Sequence, residues 1–150
     1  MIFFLDFDGV LHPDGFRYPV KDFRYFHLLP RLESLLRLHP HVLIVISSLW
    51  RLRMELAQLR EIFAPDNRDR VIDTTPLPLR FDDGIYLLDF REREIVRWLG
   101  ANGGIDQPWV ALDDAPFLYH LDRLVPCQPL VGFDDEAERA LRVHFERGSP

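Results

Sequence analysis

The sequence predicts a three-layer α/β/α sandwich on a mainly parallel sheet, and three observations carry that prediction. Short apolar runs at 2–7 (IFFLDF), 41–47 (HVLIVIS) and 109–114 (WVALDD) lack polar alternation, as strands covered on both faces do. Segments with helical spacing follow these runs, so strands and helices alternate. The first and last runs close on acids, Asp6 with Asp8 and Asp113 with Asp114. A buried strand gains nothing from unpaired charge, so those acids need another explanation.

The elements follow in order. After the first strand, Gly9, Pro13, Gly15 and Pro19 predict a loop or small flap over 8–22. Pro30 opens a helix that Pro40 ends. The strand at 41–47 leads into one amphipathic helix over 49–63, with Leu52, Leu56, Leu59 and Phe63 on a single stripe. A shorter strand is expected at 70–75. An irregular stretch follows at 76–90, with Asp82 and Asp83 as turn residues. The region 64–90 is the candidate lid. A helix over 91–100 ends near Gly100. Beyond the strand at 109–114, LVPC and PLVG are short strand candidates near 124–132. The C-terminal helix, DDEAERALRVHFERG, carries acids in its first turn, where the helix dipole favours them. His39 and His41 read as loop residues, and His120 and His144 as packing residues.

The 150 residues fit one domain, 1–150, and 47% hydrophobic content supplies a core. The net charge of −6 argues against a broad nucleic-acid footprint. Lys21 is the only lysine, so a fixed cation elsewhere must be arginine. Cys127 is the only cysteine, which excludes an internal disulfide or a thiolate metal centre. No stretch approaches the ~20 apolar residues of a membrane span, so a cytoplasmic protein without a membrane partner is expected.

In open parallel sheets, ligands bind at the carboxyl ends of the strands. Asp6, Ser47 and Asp113 all lie where an apolar strand ends. If those strands are neighbours, Asp6, Asp8, Asp113 and Asp114 converge and repel one another. A hard divalent cation relieves this; Mg²⁺ takes one or two carboxylates and keeps room for a substrate phosphate. Asp6 can then attack phosphorus and form an aspartyl-phosphate. Asp8 can give a proton to the leaving oxygen and afterwards activate water. Gly9 permits the tight turn between them. Ser47 can hydrogen-bond the phosphoryl oxygens, and Arg91 or Arg93 can supply the balancing charge.

The stretch "DFDGVL" resembles motif I of the haloacid dehalogenase (HAD) superfamily. "VLIVIS" is similar to motif II and "WVALDD" to motif IV. "REREIVRWL" sits where such proteins carry a motif III cation. With "ISSLWR", the set looks more narrowly like the HAD domains of the Swiss-army-knife RNA repair type, over residues 2–114 or so. Leu49 and His12 stand where that type more often has a small residue and Asn.

The resemblance implies an HAD-like Rossmannoid fold with little or no cap. It implies Asp6 as nucleophile, Asp8 as general acid and base, and Mg²⁺ held by Asp6, the Asp8 main-chain carbonyl and Asp113. Asp114 would help directly or through water. Ser47 would bind phosphate, with Ser48 as the alternative, and Arg91 fits the cation position better than Arg93. Gly9, His12, Ser48 and Arg51 are the expected substrate-binding residues, although Trp50 and Arg51 also read as a core aromatic with a packed cation. The implied substrate is a phosphomonoester, with nucleic-acid 3′- or 5′-phosphate ends as one class. A small-metabolite phosphatase and a non-catalytic phosphate-binding or phospho-acceptor module are the alternatives.

Overall fold

Five parallel strands form one sheet: β1 (Ile2–Leu5), β2 (Leu43–Ile46), β3 (Val71–Thr74), β4 (Trp109–Asp113) and β5 (Leu124–Pro126). Their order is β3-β2-β1-β4-β5, which puts the first strand at the centre. The computed structural model describes residues 1–15, 19, 21–76, 90–119 and 122–148. All pairings are parallel, and they align Leu5 with Ile46 on one side and with Leu112 on the other. Side chains alternate between faces along a strand, so residues in one such row share a face.

That parity sorts the core into two clusters. Phe3 and Leu5 join Ile44, Ile46, Val110 and Leu112 under α1 (Leu29–Arg37), α2 (Leu56–Glu61) and α4 (Asp135–Arg147). Ile2, Phe4, Val45 and Ala111 face α3 (Phe90–Ala101) through Ile95, Trp98 and Leu99. Near-continuous apolar strands are thus covered on both faces, as their composition requires. Each fully buried Leu or Phe contributes about 1.5–3 kcal/mol by leaving water. The next residue on from each aligned row is Asp6, Ser47 or Asp113, and it belongs to the α3 face.

Several boundaries differ from expectation. The helix expected over 49–63 is broken into a 3₁₀ turn, Leu49–Leu52, and the short α2. Leu52 is consequently 49% exposed and leaves the apolar stripe. The break has local causes. Ser48 caps the 3₁₀ turn, and the Arg51 guanidinium folds back onto the carbonyls of Ser47 and Ser48. The helix restarts at Glu55, whose N–H donates to the Gln58 side chain at 2.9 Å. The strand expected from PLVG is a turn, tied by Gly132 N–H donating to Gln128 O at 2.8 Å. Residues 71–74 of the candidate lid are β3, an integral sheet strand. The remainder of that lid at 77–89, with Asp82 and Asp83, lies outside the described residues, as does His120. Among the described residues, no helix is long and apolar enough to cross a membrane.

Candidate active site

The ladder continues one residue past β1, β2 and β3, level with Asp113 at the end of β4, and that row builds the site. Asp6 N–H donates to Leu112 O at 3.1 Å, Ser47 N–H to Leu5 O at 3.0 Å and Thr75 N–H to Ile46 O at 2.9 Å. These bonds fix Thr75, Ser47, Asp6 and Asp113 as one row across four adjacent strands, at the carboxyl edge of the sheet. The turn after β1 brings Gly9 against Asp114. A Cβ on Gly9 would lie 2.3 Å from Asp114 Oδ2, and its φ is +71°. Glycine is required there for close approach as well as for backbone conformation.

Carboxylate oxygens of Asp6, Asp113 and Asp114 lie within 4.8 Å of one another, and all three residues are buried. Arg91, in the first turn of α3, enters the same space. Its Nη2 is 3.8 Å from Asp6 Oδ2 and its Nε 3.5 Å from Asp113 Oδ2. Its Nη1 donates to the Ser47 carbonyl. Burial alone would lower the Arg91 pKa, but Asp6 and Asp113 outweigh it and hold the guanidinium firmly charged. Arg93, the other candidate cation, is exposed on the helix surface.

Asp113 is fully buried, and burial is the main reason that its pKa is pushed up to about 7. Asp6 adds repulsion, while Arg91, the Tyr119 hydroxyl and the Ala115 N–H favour the charged form. Tyr119 donates to Asp113 Oδ2 at 2.8 Å and Ala115 N–H to Oδ1 at 2.9 Å. Asp6 Oδ1 accepts from Phe7 N–H at 2.8 Å. A crowded, oxygen-only donor set of this kind suits a hard divalent cation. The chemistry of the donors therefore fits Mg²⁺, with Asp6, Asp113 and Asp114 as the residues to hold it.

Asp8 stands apart from the carboxylate triplet. Its Oδ1 is 3.0 Å from His12 Nε2, and its Oδ2 accepts from Trp50 Nε1 at 2.9 Å. Its side chain is 40% exposed. His12 is fully buried, and Phe26 N–H donates to its Nδ1 at 3.3 Å. In the neutral ring this leaves Nε2 as the donor toward Asp8. His12 Nε2 thus faces Asp8.

The two serines separate. Ser48 accepts weakly from Trp50 N–H at 3.5 Å as the cap of the 3₁₀ turn. The buried Ser47 Oγ has no hydrogen-bond partner among the described residues. Arg51 is held inside the protein, the packed cation that the sequence also suggested. Its side chain is 1% exposed and pairs with Glu94 at 2.6 Å. It donates as well to the carbonyls of Ser47, Ser48 and Thr75. Sequence reasoning did not single out Tyr119 or Glu94. Tyr119 lies six residues beyond Asp113, too far for local spacing to link them. Glu94 pairs with Arg51, 43 residues away in the chain, which local spacing does not link either.

A central parallel sheet whose adjacent strand tips carry Asp, Ser and Asp, with an arginine delivered by a following helix, defines an HAD-like Rossmannoid domain. The family model described as "HAD domain in Swiss Army Knife RNA repair proteins" matches residues 2–137. The chain belongs to that family. No curated protein and no solved structure matches it.

Proposed function

We propose that this protein is a Mg²⁺-dependent phosphomonoester hydrolase that works through an aspartyl-phosphate on Asp6. The observation that carries the reading is the convergence of Asp6, Asp113 and Asp114 within 4.8 Å, beside Arg91 and the unpartnered Ser47 hydroxyl. Asp6 Oδ attacks phosphorus, an Oδ–P bond forms to give the acyl phosphate (a mixed anhydride), and the bond to the leaving oxygen breaks. Asp8 hands its proton to that oxygen. Water then attacks phosphorus, Asp8 takes up the water proton, and inorganic phosphate departs as the Asp6 carboxylate is regenerated. Ser47 and Arg91 hold the phosphoryl oxygens and balance their charge through both steps. Bound Mg²⁺ supplies neutralisation of the carboxylates and of the phosphoryl group.

The family's tie to RNA repair proteins favours a nucleic-acid phosphate end as substrate. The experiment is turnover of p-nitrophenyl phosphate with Mg²⁺, with EDTA, and by Asp6→Asn. Release that needs the metal and disappears in the variant is expected. Turnover that persists in Asp6→Asn would refute a nucleophilic Asp6, and saturable phosphate binding without turnover would favour a binding module instead.

A further inference from the structure

A cavity of about 870 Å³ opens beside Asp8, within the range of small-molecule sites. Phe23 and Tyr25 line it together with Leu49, Trp50 and Leu52 of the 3₁₀ turn. We infer that this cavity is the leaving-group pocket and that it takes one planar aromatic ring. The inference rests on the hydrolase reading above and adds the chemistry of the group released.

Position is the first argument. A group that protonates the leaving oxygen must lie within hydrogen-bond reach of it. Asp8 is that group, and Asp8 lines the cavity. The atoms attached to the leaving oxygen therefore enter this space.

The walls are the second argument. Tyr25 is 63% exposed, Leu49 46% and Leu52 49%, so apolar surface is gathered at one rim. Tyr25 is nevertheless held in place. Its ring meets Phe23, His12 and Trp50 edge-to-face at centroid distances of 4.6, 5.2 and 5.6 Å. A ring already fixed loses little freedom when a second ring packs on it. Gly15 makes room behind this wall, since a Cβ there would lie 3.0 Å from Phe23 Cε2.

Charge is the third argument. Among the described residues, Arg53 is the one cation lining the cavity, and the carboxylates of Asp8 and Asp14 line it too. A protein that grips a polyanionic strand neutralises several phosphates with Lys or Arg. The described lining offers one cation against two carboxylates, a poor match for several phosphates, so the cavity suits a single ring next to the phosphate. A polyhydroxylated aliphatic group would ask for more polar partners than these walls offer.

Calorimetric titration of the Asp6→Asn protein with Mg²⁺ tests this with four probes: 1-naphthyl phosphate, adenosine 5′-monophosphate, glycerol 3-phosphate and a 5′-phosphorylated oligonucleotide. At least one of the ring-bearing small probes should bind about tenfold or more tightly than glycerol phosphate, the size of one stacking contact. The oligonucleotide should bind no more tightly than the mononucleotide. Tyr25→Ala should erase the preference for rings. Naphthyl phosphate ahead of the mononucleotide would assign an aryl ester, and the reverse order a nucleoside. Equal affinity for glycerol phosphate, a much tighter oligonucleotide, or no binding of either ring probe would overturn the inference. Ring preference without turnover by the native protein removes the hydrolase reading and leaves the pocket. Turnover without ring preference removes the pocket and leaves the hydrolase.

Discussion

Asp8 shows how much of a site is built by residues that carry no reaction. Its two oxygens are fixed by His12 from four residues away and by Trp50 from forty-two away. A general acid must hold its geometry to serve one oxygen and then a water. Trp50→Phe keeps a ring and removes the N–H, and His12→Ala removes the other donor. Each loses one hydrogen bond to the Asp8 carboxyl group, worth about 0.5–1.5 kcal/mol. Both variants should lower kcat by up to about tenfold while leaving KM nearly unchanged. His12→Gln should recover part of the loss, because its amide can still donate. Steady-state kinetics decides the matter: an unchanged kcat in Trp50→Phe would show that Asp8 needs no such support. The acids themselves were readable in the sequence, because carboxylates at the end of an apolar strand are anomalous. The burial of His12 and Arg51 and the identity of their partners were less legible, because neither is written in local spacing.

At the scale of elements, the 3₁₀ turn at Leu49–Leu52 illustrates what periodicity misses. The stripe from Leu52 to Phe63 has helical spacing, yet a buried ion pair overrides it. Arg51 must reach the ends of β2 and β3 to donate to the carbonyls of Ser47 and Thr75, and a continuous helix is not what forms there. Glu94, at 2.6 Å, keeps that guanidinium paired inside the protein. Burial, the largest influence on both, lowers the Arg51 pKa and raises that of Glu94, so their mutual contact is what sustains the charges. Removing one partner leaves the other buried alone, at a cost of about 3–5 kcal/mol. Glu94→Ala should therefore lower stability by about that much in chemical denaturation. A loss below about 1 kcal/mol would show that the pair adds nothing to the fold. Strand identity was far more legible than this turn, because runs such as HVLIVIS have one physical use in an α/β protein, burial on both faces.

Across the whole molecule, topology converts three distant segments into one charged centre, and that convergence has a measurable pH signature. The sequence supplied the strands and their acidic tips, but the order β3-β2-β1-β4-β5 is what makes Asp6 the neighbour of both Ser47 and Asp113. Asp113 ordinarily titrates at 3.8, and in the folded protein it is pushed up to about 7. Between those values the metal-free folded protein keeps a proton that the unfolded chain has released. Stability without metal should accordingly fall as pH rises from about 4 to about 7 and level off above, as far as this centre governs it. Mg²⁺ requires the ionised carboxylates, so its stabilisation runs the other way and grows over the same interval. Thermal melts in EDTA and in Mg²⁺ at pH 5 and pH 8 separate the two trends. The Mg²⁺-dependent rise in Tm should be small at pH 5 and larger at pH 8. An equal rise at both values would mean that the metal does not bind through Asp113, and no rise at either would remove the cation from this centre altogether.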